Sequence, residues 1–182
     1  MRKLTCPPEA EVIGLMLNAY VDNMMGAETA PTFKKYGVVD LDPHGHYPLS
    51  RMLNALNELA LMPSVSLNMV AIGMKIGEGV PMPPELGEHP TIEDVLMAWD
   101  ATYQFLHRGA DVGKIWIEKV NDRFFKTYHS VPYPDDMSYG VLYGYAKRFL
   151  PHGTRFTVRY DEALPARDYG GTGDYTIIDI LW

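Results

Sequence analysis

Apolar residues in the first part of the chain recur every three to four positions, the spacing of one helical face. Val12, Leu15, Met16, Ala19 and Tyr20 form such a stripe after Pro7 and Pro8. Met52, Leu53, Leu56, Leu59 and Ala60 form a second. Pro48 suits its first turn and Pro63 stops it. A third helix is predicted over about 64–76, ending in "KIGEGVPMPPE", whose Pro and Gly content predicts a loop. A fourth starts at "TIED", where Thr91 and Asp94 have the spacing of a capping box. Val95, Leu96, Trp99, Tyr103 and Leu106 supply its apolar faces, and Gly109 and Gly113 end it.

After residue 110 the period falls to two. "KIWIEKV" and "RFFKTYHS" flank a short polar "ND" and predict a β-hairpin. "MSYGVLYGYAKRFL" returns to helical spacing, with Val141, Leu142, Tyr145, Ala146 and Phe149 in phase. "TRFTVRYDE" and "DYTIIDILW" alternate as strands joined by "ALPARDYGGTG". Helices followed by β-β-α-β-β predict an α+β fold whose antiparallel sheet carries helices on one face. At 182 residues the chain suits one domain, helical over 1–110 and sheet-containing over 111–182.

The formal charge of −7, with no basic face, argues against nucleic-acid binding, which rests on cations meeting phosphates. The single Cys6 excludes an intrachain disulfide framework and a cysteine-built zinc site, so a reducing, cytoplasmic setting is expected. No run approaches the roughly 18 apolar residues of a membrane span, and "LTCPPEAEV" after Arg2 and Lys3 lacks the apolar stretch of a signal peptide.

Several stretches invite a chemical reading. "DLDPHGHYP" sets Asp40, Asp42, His44 and His46 two apart, so that on an extended segment all four face one side, as metal ligands would. The same residue types also make a solvated turn. "GMKIGEG" follows a helix rather than a strand, so its glycines suit close helix packing or a loop, not a phosphate cradle. No nucleophile elbow, P-loop or paired carboxylates give an enzymatic role positive support. Trp99, Tyr103 and His107 recur at intervals of four, on one helical face. His107 beside Arg108 suits a helix C-terminus, and Tyr103 suits core; alternatively this face looks into a cavity between the helical and sheet halves.

With these elements in order, the chain resembles the heme-nitric-oxide/oxygen-binding (H-NOX) domain and the related 4-vinyl reductase domain, a fold shared with transport-particle subunits. The resemblance covers roughly residues 47–182 and is clearest from Thr91 onward. "VLMAWDATYQFLHR" matches the histidine-bearing helix, "RFFKTYHSVPY" the strand out of the hairpin, and "YGVLYGYAKRFL" the helix crossing the sheet. The resemblance implies a small-molecule sensor or regulatory domain.

In heme-binding members a helix histidine ligates the iron and a Tyr-x-Ser-x-Arg strand motif holds the propionates. Here the match puts Tyr103 at the histidine position, or His107 after a one-turn slip. It keeps Tyr128 and Ser130 but puts Pro132 where arginine belongs, which removes a bidentate carboxylate donor. Tyrosinate can ligate ferric heme, so a heme cofactor with an atypical ligand is one expectation. The first expectation is a small apolar or aromatic ligand, such as a tetrapyrrole or its precursor, held by Trp99, Tyr103, His107, Tyr128 and Tyr143. A ligand-free interaction module, acting through a homodimer or protein partner, is the third.

Overall fold

The computed structural model describes residues 2–65 and 67–182. The chain begins with strand β1 (Glu11–Ile13), helix α1 (Gly14–Met24) and the short helix α2 (Ala30–Lys35). Strand β2 (His46–Pro48) leads into α3 (Leu49–Leu59), and α4 (Met69–Gly79) follows. Next come α5 (Ile92–Met97), α6 (Trp99–Phe105) and the two-residue β3 (His107–Arg108). The hairpin β4 (Lys114–Asn121) and β5 (Phe124–Ser130), helix α7 (Asp135–Phe149), β6 (Thr157–Tyr160) and β7 (Thr176–Leu181) complete the α+β chain.

The sheet that was expected is present, antiparallel throughout and ordered β4-β5-β7-β6. Strand parity divides its residues. Ile115, Phe125, Thr127, His129, Val158, Ile178 and Ile180 are buried on the face that α5, α6 and α7 cover. Trp116, Lys126, Tyr128 and Ile177 belong to the opposite face.

A second, smaller sheet, β2-β1-β3, lies in the part of the chain that periodicity reads as helical. Val12 pairs with Tyr47 on one side and His107 on the other, so long-range pairing outweighs local helical spacing over Glu11–Ile13. The same sheet takes His107 out of the fourth helix and onto a strand. That helix is itself broken at Ala98 into α5 and α6. Its start is as expected: Thr91 and Asp94 form the reciprocal capping box. The expected third helix begins at Met69, where the Asn68 side chain accepts from the Ala71 N–H at 3.0 Å; Ser66, in its expected first turn, lies outside the described residues. It also runs on to Gly79, through glycines that suggest a loop.

Those glycines are explained by packing. Gly73 and Gly77 of α4 face Gly140 and Gly144 of α7, and the two helices cross with their main chains in contact. A Cβ at Gly73 would lie 2.1 Å from the Met137 carbonyl oxygen, and one at Gly140 would lie 2.2 Å from that of Val70. Only glycine permits this approach.

A buried ion cluster ties the chain's beginning to this core. Asp135, in the first turn of α7, is fully buried. Its Oδ1 accepts from Arg167 at 2.8 Å and Arg2 at 3.3 Å, and its Oδ2 accepts from the Asp168 N–H at 2.9 Å. The same guanidinium groups also donate to the carbonyls of Val131 and Tyr133. Three separate segments are thus joined at one carboxylate, with the helix dipole favouring its charge.

Candidate functional site

Where α1, α4, α6 and α7 meet the end of β5, side chains line a partly open cavity of about 40 Å³. Met16, Ile76, Leu106, Val131 and Val141 give it apolar walls, and Trp99, Tyr103, Tyr133 and Tyr145 add aromatic ones. This is room for about three or four waters, at roughly 10–15 Å³ each.

Three of the expected ligand-binding residues meet here. Trp99 and Tyr103 line the cavity, and His107 packs behind Tyr103 with ring centroids 4.3 Å apart. Trp99 lies edge-on to Tyr145 at 5.2 Å and to His129 at 4.9 Å. The other two are elsewhere. Tyr128 has the parity of Lys126, so it stands on the opposite face of the sheet, stacked on Trp116 at 5.1 Å. Burial and a bond to Glu118, the bond foremost, push its hydroxyl up to about 12. Tyr143 is half-buried on another side of α7, packed edge-on against Phe156 at 4.9 Å. The residues that take their places are Tyr133 and Tyr145. Helical phase with Val141 marks Tyr145 in the sequence, whereas Tyr133 lies between prolines and no periodicity reports it.

The polar groups behind the cavity are mostly satisfied. His107 Nδ1 lies 2.7 Å from the Tyr103 carbonyl oxygen, which only accepts, so this nitrogen carries the proton. His107 Nε2 therefore accepts from the Tyr133 hydroxyl at 2.6 Å. The Tyr103 hydroxyl donates to the Val112 carbonyl at 2.8 Å, and that of Tyr20 to Met137 Sδ. Burial holds the Tyr20, Tyr103, Tyr133 and Tyr145 hydroxyls well above their ordinary pKa, and it pulls His107 below its own.

His129 is more extreme. Fully buried beside Trp99, its Nε2 lies 2.8 Å from Thr127 Oγ1 while Nδ1 has no partner among the described residues. Burial, helped by Arg167, lowers its pKa to about 3. The unfolded chain takes up this proton near 6.5 and the folded one does not. Stability is then complete above about pH 6.5 and falls as the pH drops towards 3, by about 1.4 kcal/mol per unit from this group alone. Urea unfolding between pH 6.5 and 5, above the carboxylate range, should show this slope, and His129→Phe should flatten it. An unchanged slope in the variant would locate the effect elsewhere.

The residues around the cavity do not fit a heme as they stand. The space is far below the roughly 300 Å³ at which pockets for drug-sized ligands begin. Both His107 nitrogens are engaged, and burial of Tyr103 disfavours the tyrosinate that iron would need. Tyr128 faces away, and Pro132 offers no propionate donor. The Asp40–His46 segment forms a turn, in which Asp42 Oδ1 accepts from the His44 N–H at 3.0 Å. No group of three metal-binding side chains forms among the described residues.

No family model matches the chain, and no curated protein matches its sequence. Solved structures do match. An H-NOX protein from S. oneidensis in the Fe(II)NO ligation state is similar over 92% of this chain and 97% of its own, at 14% identity and a TM-score of 0.67. The H-NOX from Shewanella woodyi in the Fe(II)CO ligation state is similar over 92% and 93%, at 18% identity and 0.57. A structure described as probing heme distortion in the H-NOX family gives 13% identity and 0.60. At nearly full coverage of both chains, these likenesses establish the architecture: the chain has the H-NOX fold.

Proposed function

We propose that this chain is a sensor or regulatory domain that holds a small apolar ligand between its helical and sheet halves. The observation that carries this reading is the aromatic-walled cavity formed by Trp99, Tyr103, Tyr133 and Tyr145. Its volume narrows the expected ligand from a tetrapyrrole to a molecule of a few heavy atoms. Xenon, an apolar probe of suitable size, tests this directly: pressurised xenon should shift the NMR signals of Met16, Ile76 and Val141 in a saturable manner. Unmoved signals would overturn the reading.

The similar H-NOX structures are described in Fe(II)NO and Fe(II)CO ligation states, and one as probing heme distortion, so heme needs its own test. Titration with hemin should produce no stoichiometric Soret band. A sharp 1:1 band would mean that α4 and α7 part to admit the macrocycle, and would replace the small-ligand reading.

We assign the output to a protein partner or second copy, because Leu61 and Phe105 stand 84% and 81% exposed, available for a contact. Sedimentation of the purified protein addresses self-association. No helix of the described residues is long and apolar enough to cross a membrane. The free Cys6 suits the reducing cytoplasm we assign to it.

A further inference from the structure

Ser138, Val141 and Tyr145 occupy one face of α7 and all line the cavity. Ser138 is 4% exposed and Tyr145 is 2% exposed. Neither hydroxyl has a hydrogen-bond partner among the described residues, whereas the neighbouring Tyr103, Tyr133 and Tyr20 hydroxyls all do. Thr102, the other hydroxyl residue on the wall, donates to the Ala98 carbonyl at 3.0 Å. Tyr145 stands two turns further along this face than Ser138, and both side chains border the same cavity. The apolar wall therefore holds two unused O–H donors on the same helix face. The cavity has room for water, and only a guest with an acceptor replaces the bonds that water can make to these hydroxyls, so it is favoured over one that lacks an acceptor.

We infer that the cavity selects a small uncharged molecule bearing one strong hydrogen-bond acceptor, of the class of short ketones and aldehydes. The carbonyl oxygen has a lone pair for each hydroxyl, and the alkyl part meets Met16, Ile76 and Val141. A carboxylate is excluded because no cationic side chain lines the wall. A purely aliphatic guest leaves both donors unmet, and a larger ring exceeds the volume.

This inference rests on the small-ligand reading, and the experiment separates the two. Acetone and its near-isosteric hydrocarbon isobutene would be titrated by NMR into the wild type, Ser138→Ala, Tyr145→Phe and the double variant, with xenon as the control guest. Acetone should bind the wild type at least threefold more tightly than isobutene. The double variant should lose that preference, and xenon should bind all four proteins. Equal affinity for acetone and isobutene in the wild type, with xenon bound, would overturn the acceptor inference and leave the cavity reading in place. A preference that survives in the double variant would also overturn it. Failure of all three guests to bind would defeat the cavity reading itself.

Discussion

Adding one methyl group at Gly73 should lower stability by about 3 kcal/mol, at the upper end of overpacking costs. The Cβ would meet three main-chain atoms of α7: Met137 O at 2.1 Å, Val141 N at 2.8 Å and Gly140 Cα at 2.9 Å. A side chain could swing aside, but a main chain can yield only by moving the whole helix. For a chain of this length the loss corresponds to a fall in Tm of about 6–12 °C. Gly79→Ala, in the same helix but with open space around its Cβ, should be neutral or stabilising by a few tenths of a kcal/mol. Gly73→Ala and Gly140→Ala should cost less together than their sum, because the first already separates the helices. A loss below about 0.5 kcal/mol in Gly73→Ala by urea unfolding would contradict main-chain contact.

Asp135→Ala should cost about 3–5 kcal/mol, the range for removing one partner of a buried ion pair. It would leave the Arg167 guanidinium, whose side chain is 11% exposed, facing carbonyls without its carboxylate. It would also release Arg2 and the main-chain N–H of Asp168 from the same acceptor. By contrast, Glu58→Ala, which breaks the exposed pair with Lys35, should leave the urea midpoint nearly unchanged. A double-mutant cycle with Arg167→Met should recover part of the Asp135→Ala loss, since the guanidinium that remains, that of Arg2, keeps its pair with Asp168. Strictly additive losses would show that the two side chains act independently.

Much of the architecture was legible in the chain, and its failures have identifiable causes. Alternation in "RFFKTYHS" fixed the hairpin strand, and Thr91 and Asp94 marked the start of α5. The small sheet was hidden because β1 and β3 are only three and two residues long, and their order depends on each other rather than on local pattern. The glycines of "KIGEG" read locally as a loop, because what makes them helical is α7, more than 60 residues away. Of the cavity's wall, Trp99 and Tyr103 were marked by helical spacing. Tyr128 was not excluded, although its parity with Lys126 and Ser130 already assigned it to the solvent side. Asp135 gave no signal beyond an acidic first turn, since its partners come from residues 2 and 167.

The crossing of α4 and α7 bears on timing as well as stability. Ile76 of one helix, Val80 just past its end, and Met137, Ser138, Val141 and Tyr145 of the other all border the hollow. A guest that enters between these two helices meets glycine faces with no rotamers to flip, so passage along that route waits for the helix pair to breathe, a collective movement of microseconds to milliseconds. A molecule once captured would then reside far longer than its few weak contacts alone could hold it.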